Sequence, residues 1–450
     1  MTQATTGPGN TGAVFYRSPA HDYPLAVSAR GAVITDADGR EYLDLSGGAA
    51  VSCLGHAHPG VVAAVGAQLA ELEFAHTAFF TNAPQEALAA QIAGHFAEPG
   101  AHVYFSSGGS EANETALKLA WQYWAARGQP DKKVIISREH SYHGNTFGAL
   151  SVSGNAGRRR ASAAPLLDWP RIPPCYPYRE QAAGESDEEY GRRAAAYLDR
   201  AIRDCGEERV AAFICEPVVG SSLGVVPAAP GYLEAVRAIC DRHEILLIAD
   251  EIMCGSGRTG DFFAHAAAGI VPDIVTLAKG IGGGYAPLAA TLARGSLWRT
   301  LAEAGFAHGH TYVGHPVACA AGRAVLETIA RDGLLDRVRE LGSEFGKQLE
   351  ERFGAHPRVG EIRRRGLFAG IELVADRASK AGFADARALA DELRLAALAE
   401  GLVCYPGSIV VDGRNVPHVM LAPPFIVSVD QLADGLDRLR RAMDRVLPAG

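Results

Sequence analysis

No stretch of this 450-residue chain reaches eighteen uninterrupted apolar residues, which excludes a membrane-spanning helix. The first twenty residues have neither a basic start nor an apolar stretch of signal-peptide length, so no secretory leader is expected. The eight cysteines, spread from Cys53 to Cys404, contain no C-x-x-C pair. They read as reduced, buried residues of a cytoplasmic protein and not as a disulfide or zinc framework. Basic residues are in deficit, giving a net charge of -8, which argues against a nucleic-acid or anionic-membrane partner. The only dense basic run outside the C-terminal part, Arg158 to Arg160, reads as a solvated loop. Metal-ligand spacing is missing too: His56 and His58, or His308 and His310, have no acid or cysteine near enough to specify a site, and no metal is expected.

What is present is ordinary globular texture, 48% hydrophobic and 21% charged, in a chain too long for one compact core. Asp36 to Gly39 reads as a turn between two short strands, and Pro59 opens a helix with Val61, Val65, Leu69 and Leu72 on one face. Continuous apolar runs of strand length follow: KVIIS, VAAFICEP, EILLIAD, DIVTLAK and LAATLA, several of them separated by amphipathic helices. That alternation predicts an α/β fold, a mostly parallel sheet covered by helices on both faces. After about residue 325 the texture changes to long charged helices, Leu334 to Phe353, Asp385 to Glu400 and Val429 to Val446, around the strand LFAGIELV. The expected division is a large domain over 61–325 and a smaller α+β domain over 326–450, to which the N-terminal segment 1–60 also belongs. The Gly/Thr-rich beginning reads as mobile.

Three segments suggest chemistry. Tyr104 to Ala120 carries a short strand into Gly108, Gly109 and Ser110 immediately before a helix, an arrangement whose free amides and dipole suit a phosphate, although Ser110 could equally be a simple cap. It is neither a P-loop nor a G-x-G-x-x-G turn. Ile245 to Gly260 ends an apolar strand at Asp250, and in a parallel sheet such ends line the ligand crevice. The next strand ends at Lys279, followed by glycines. A carboxylate, a lysine and a phosphate cradle are what pyridoxal 5'-phosphate requires: an amine for its aldehyde, an acid for its pyridine nitrogen and amides for its phosphate. Tyr142, after the strand KKVIIS, offers a ring to stack on the cofactor.

The ordered motifs SGGSEANETALKLA, SYHGNT, ICEPVVG, ADEIMCGSGRTG, LAKGIGGG and HTYVGHPVACAAG, with GREYLDLSGGAAVSCLGHAHP before them and RRRGLFAGIELV after, resemble the class III aminotransferases, pyridoxal phosphate enzymes of the aspartate aminotransferase fold. The resemblance covers nearly the whole chain. It implies that Lys279 forms the Schiff base and shuttles the proton, and that Asp250 pairs with the pyridine nitrogen. It implies further that Gly109 and Ser110 hold the phosphate, Tyr142 and Ile252 cover the two ring faces, and Glu216 lies at the cofactor edge. Thr311 would reach the phosphate of a neighbouring subunit, so a homodimer, or a dimer of dimers, is expected.

The substrates implied are a small-molecule amine or ω-amino acid donor and a keto acid or aldehyde acceptor. Met253 stands where relatives acting on ornithine-type substrates often carry Gln, which resembles the branch using ω-amino acids or simple amines. Arg363, in the R-G-x-G-L region, and Arg414, before HVMLAPPF, are the two candidates for gripping a substrate carboxylate. Ala50 stands where some amine-using relatives carry a bulky aromatic, implying a roomier pocket. An aminomutase, a racemase or a decarboxylating aminotransferase would share the same core. A nicotinamide-dependent dehydrogenase, reading VTLAKGIGGG as a nucleotide-binding turn, is the rival from another class.

Overall fold

A computed structural model describes residues 13–18, 21–411 and 413–447, so the Gly/Thr-rich beginning lies outside the described residues. Its centre is a seven-stranded sheet in the order His102–Ser106, Ala289–Ala293, Ile274–Leu277, Leu246–Asp250, Val210–Cys215, Val134–Arg138, Arg171–Ile172. From Ile274–Leu277 to Arg171–Ile172 every neighbouring pair is parallel, while Ala289–Ala293 runs antiparallel to both of its neighbours. The central strands VAAFIC, LLIAD and IVTL are buried at every position, as a sheet covered on both faces demands. One covering helix, Gly109–Ala126, packs Ala112, Ala116, Leu119, Ala120 and Tyr123 inward, a three-to-four-residue spacing that forms one stripe. No helix among the described residues is long and apolar enough to cross a membrane.

Register decides where chemistry can occur. Asp250 pairs with Thr276 in the adjacent parallel strand, so Lys279 lies three residues beyond the same level. Ser106 on the far strand pairs with Ala289 and leads directly into Ser107–Ser110. The carboxyl ends of these strands therefore open onto one edge, together with Glu216 after Val210–Cys215 and Tyr142 after Val134–Arg138.

Two four-stranded sheets flank this core, beside a two-stranded ribbon of Val218–Val219 and Val226–Pro227. One is antiparallel, in the order Val359–Arg365, Phe368–Leu373, Arg414–Leu421, Tyr405–Val411. The other combines Ala26–Arg30, Val33–Asp36 and Glu41–Asp44 with the distant strand Leu402–Val403, which pairs in parallel with Glu41–Asp44. The turn expected at Asp36 is present, its carboxylate accepting the amides of Asp38 and Arg40 at 3.0 and 2.9 Å. The helix opened by Pro59 runs to Glu71, yet only Val61 is buried and Leu69 is 58% exposed. Val61 and the half-buried Val65 pack into the core beside the helix Pro316–Arg331, so the apolar face is covered at one end and open at Leu69. The helices Leu334–Phe353 and Val429–Val446 form as expected, and that over 385–400 forms as Ala386–Ala399 with Asp385 as its cap.

Candidate active site

At the common strand edge lies a cleft of about 430 Å³, lined among others by Ser107 to Ser110, Tyr142, Glu216, Asp250, Ile252 and Lys279. Eight of the ten residues singled out in the sequence are Lys279, Asp250, Gly109, Ser110, Tyr142, Glu216, Ile252 and Thr311, and all but Thr311 meet here. Thr311 lies in an exposed turn of its own chain.

Asp250 is 3% exposed, and its carboxylate is held on three sides. Oδ2 accepts from Asn113 Nδ2 and from His143 Nδ1, each at 2.8 Å, and Oδ1 accepts the Ile252 amide at 3.0 Å. Asn113 is fixed in turn, its Oδ1 accepting from Thr276 Oγ1 at 2.9 Å and its amide donating to the His143 carbonyl at 2.6 Å. Burial pushes the His143 imidazole down, but the carboxylates of Glu216 and Asp250 outweigh it and hold the ring above its ordinary value. Glu216 accepts the Tyr142 amide at 3.0 Å and a hydrogen bond from the fully buried Arg138 at 3.1 Å, while His143 Nε2 lies 3.8 Å away. The carboxylates of Glu216 and Asp250 thus lie beside the buried guanidinium of Arg138 and the buried imidazole of His143, so neither acid is buried without a partner.

Lys279 begins a single turn of 3₁₀ helix, Lys279–Ile281, and adopts φ of +50°, a left-handed backbone that non-glycine residues take only where the surroundings impose it. Burial lowers its amine below the ordinary lysine value, and the Asp250 carboxylate partly opposes that shift. Because no helix follows, the glycine run offers no helix terminus to a dinucleotide, and the dehydrogenase reading fails on geometry.

The eighteen-residue helix Gly109–Ala126 starts at the cleft wall, with Gly109 and Ser110 as its first residues. A Cβ on Gly109 would come within 2.8 Å of Ile252 Cδ1, and one on Gly144 within 2.7 Å of Ser110 Oγ. Gly144, at φ of +140°, needs glycine, while at Gly109 Ile252 would have to move; Ser110 Oγ accepts the Asn145 amide at 3.0 Å, which aligns the loop against the helix start. Tyr142 and Ile252 line the cleft from different segments, Ile252 following the strand that carries Asp250.

Arg363 requires a correction. It does not line the cleft: its Nη1 donates to Glu361 at 2.6 Å and Glu372 at 2.5 Å, and Nε and Nη2 donate to the carbonyls of residues 223–225. Arg179 donates to the same Glu372 carboxylate at 2.9 and 2.6 Å. A guanidinium whose donors are all engaged by protein has none left for a substrate. Arg363→Ala should therefore destabilise the fold by about 3 kcal/mol, the lower end for breaking a buried pair since Arg179 still faces Glu372. Denaturant titration would register that loss, and activity towards amino acids and plain amines should decline alike. The side chain of Arg414 lies outside the described residues. Ala50 is corrected as well, being buried against Val218 and Cys254 while its neighbour Val51 lines the cleft.

Sequence reasoning missed His143, Asn113 and Arg138. The signals were small: a histidine directly after Tyr142, an asparagine one turn into an otherwise apolar helix stripe, and an arginine at the end of a buried strand.

The aminotransferase class-III family model matches residues 16–443. An uncharacterized aminotransferase of Schizosaccharomyces pombe is 37% identical over 439 residues, covering 97% of this chain and 96% of its own. The acetylornithine aminotransferase of Mycolicibacterium smegmatis is 40% identical over 423 residues, 94% of each chain. Among solved structures, the omega transaminase from Pseudomonas jessenii in complex with PMP superposes with a TM-score of 0.89 at 33% identity, covering 95% of this chain and 94% of that one.

Proposed function

This chain belongs to the class III aminotransferases, which use pyridoxal phosphate, and from that premise we propose that it moves the amino group of a primary amine or ω-amino acid onto a small keto acid or aldehyde. The observation that carries the reading is the meeting of Asp250, Lys279 and the Gly109–Ser110 helix start in one cleft. The residues fit the cofactor: a glycine cradle with free amides, a buried carboxylate with fixed partners, and an amine whose charge is disfavoured. When bound, it supplies an aldehyde for the amino group and an electron-withdrawing ring. Asp250, oriented by Asn113 and His143, keeps a proton on the ring nitrogen. Ser110 and the amides at Gly109 hold the phosphate, Tyr142 and Ile252 confine the ring, and Glu216 bounds its edge. Lys279, its amine lowered below the ordinary lysine value by burial, takes and returns the proton that moves during transfer.

The small domain is taken as residues 326–450 with the segment 1–60, beside a large domain of 61–325; the pairing of Leu402–Val403 with Glu41–Asp44 supports that division. A homodimer is proposed on the uncovered apolar surface near Thr311. Phe79 is 79% exposed, Phe80 67% and Tyr312 59%, and Phe74 meets Tyr312 edge to face at 6.0 Å. An apolar patch of this kind on one chain marks an interface. Thr311 would then serve the phosphate of the partner subunit. Mixing Lys279→Ala chains with Thr311→Val chains should restore activity, because a mixed dimer has one site with both lesions and one with neither. With random exchange roughly a quarter of all sites should recover. No recovery after exchange has been verified by mass spectrometry would refute the cross-subunit role.

The reading itself is tested by mixing the cofactor-loaded enzyme with plain amines, diamines and ω-amino acids and following its visible absorption. Loss of the band with a donor, and its return on adding a keto acid, is the expected result. A racemase, an aminomutase or a decarboxylase would instead convert its substrate without net discharge, or with release of carbon dioxide.

A further inference from the structure

A second recess of about 360 Å³ adjoins the cleft, sharing Tyr142, Ser221 and Ser222 with it. Three arginines, Arg17, Arg158 and Arg394, line it, and no Asp or Glu does. In a chain of net charge -8, that concentration of one sign is unexpected. Arg158 belongs to the basic run that reads as a solvated loop in the sequence, but its guanidinium carbon sits 4.8 Å above the Tyr142 ring. Its neighbour Arg159 is used structurally, donating to the carbonyls of Leu150 and Ser151 at 2.9 and 2.7 Å. Neither Arg158 nor Arg17 faces an acidic residue on the wall of this recess. Arg394 donates to Asp391 at 2.9 Å and His21 at 2.7 Å, while its Nε is buried without a partner. Ser222, at 5% exposure, also has a buried hydroxyl without a partner, and it lies on the wall common to both cavities.

We propose that this recess receives the anionic tail, a carboxylate or a phosphate, of the substrate whose amino group reacts at Lys279. The inference rests on the reading of the cleft as the amino-transfer site. Guanidinium groups present paired donors that match either anion, and Ser222 supplies a hydroxyl donor. The shared wall at Tyr142 means that a molecule reaching from the cleft past that ring enters the recess. Selection of a tailed substrate therefore falls to Arg158 and Arg17, since Arg363 is engaged elsewhere.

The test compares half-reactions of the cofactor-loaded enzyme with three donors of matched length: a plain alkylamine, an ω-amino acid and an aminoalkyl phosphate. In the parent enzyme kcat/KM should favour a tailed donor over the plain amine, and the preference should shrink as salt is added. Arg158→Ala and Arg17→Ala should each lower the tailed-to-plain ratio by roughly three- to tenfold, a range suited to partly exposed charges. Arg17 lies outside any helix or strand, so its variant tests the idea even should Arg158→Ala fail to fold. The tail giving the larger ratio identifies the anion. A parent ratio at or below one and indifferent to salt, or equal losses for tailed and plain donors in both variants, would overturn the proposal. An enzyme inert to every donor would overturn the amino-transfer reading itself.

Discussion

Lys279→Ala is expected to reduce steady-state amino transfer by about 10³-fold or more, towards the upper part of the range for a group that moves a proton in the rate-limiting step. The lysine is prepared for that task by its setting. Burial disfavours the ammonium, and the Asp250 carboxylate is the first of the groups that act against the shift. The left-handed φ at Lys279 shows that the backbone is held in place by its neighbours, so the amine is delivered by structure and not by side-chain flexibility. Cofactor should still bind to the variant, because the helix start at Gly109 and the carboxylate of Asp250 are untouched. Borohydride reduction of the loaded parent enzyme followed by peptide mapping should place the label on Lys279 alone; a label on any other lysine would sink the assignment. The shift also has a pH signature. In cofactor-free protein, capture of an aldehyde probe by Lys279 should rise with pH through a midpoint below 10.5, because lowering the amine's affinity for protons moves its neutral form to lower pH.

Asp250→Asn should be the second most damaging change, slowing the half-reaction by about 10³-fold, in keeping with the loss of a preorganised charge in a desolvated site. Asparagine keeps the size but not the charge. His143 Nδ1 and Asn113 Nδ2 both donate to the same Asp250 oxygen, so an amide nitrogen there would face two donors and an amide oxygen would leave its own nitrogen to find a partner. The His143 ring would also lose one of the two carboxylates that keep it above its ordinary value. Cofactor affinity should fall less than the rate, since phosphate contacts remain. Single-turnover absorbance measurements with a good donor separate the two; a near-parental half-reaction would mean that another group protonates the ring.

Much of this protein could be read from local pattern. Apolar runs of strand length separated by amphipathic helices specify buried parallel strands, and the covalent order places Asp250 and Lys279 at the ends of consecutive ones, which is why the cleft was legible. The helix after Gly109 was equally readable, because a strand, two glycines and a serine leave few alternatives for the backbone. Other features depend on which distant groups meet. Whether Glu372 binds Arg363, Arg179 or water cannot follow from spacing, because the partners come from separate segments and the choice is made by burial, where an unpaired carboxylate is too costly to persist. The same holds for His143 and Asn113 at Asp250, for the reversed direction of Ala289–Ala293, and for Leu402–Val403 joining a sheet formed near the other end of the chain. Hydrophobic periodicity determines that a segment is a strand and which faces are buried; neighbour, direction and polar partner are decided only when the whole chain has packed, because hydrogen-bond satisfaction in the interior is a property of the assembled core.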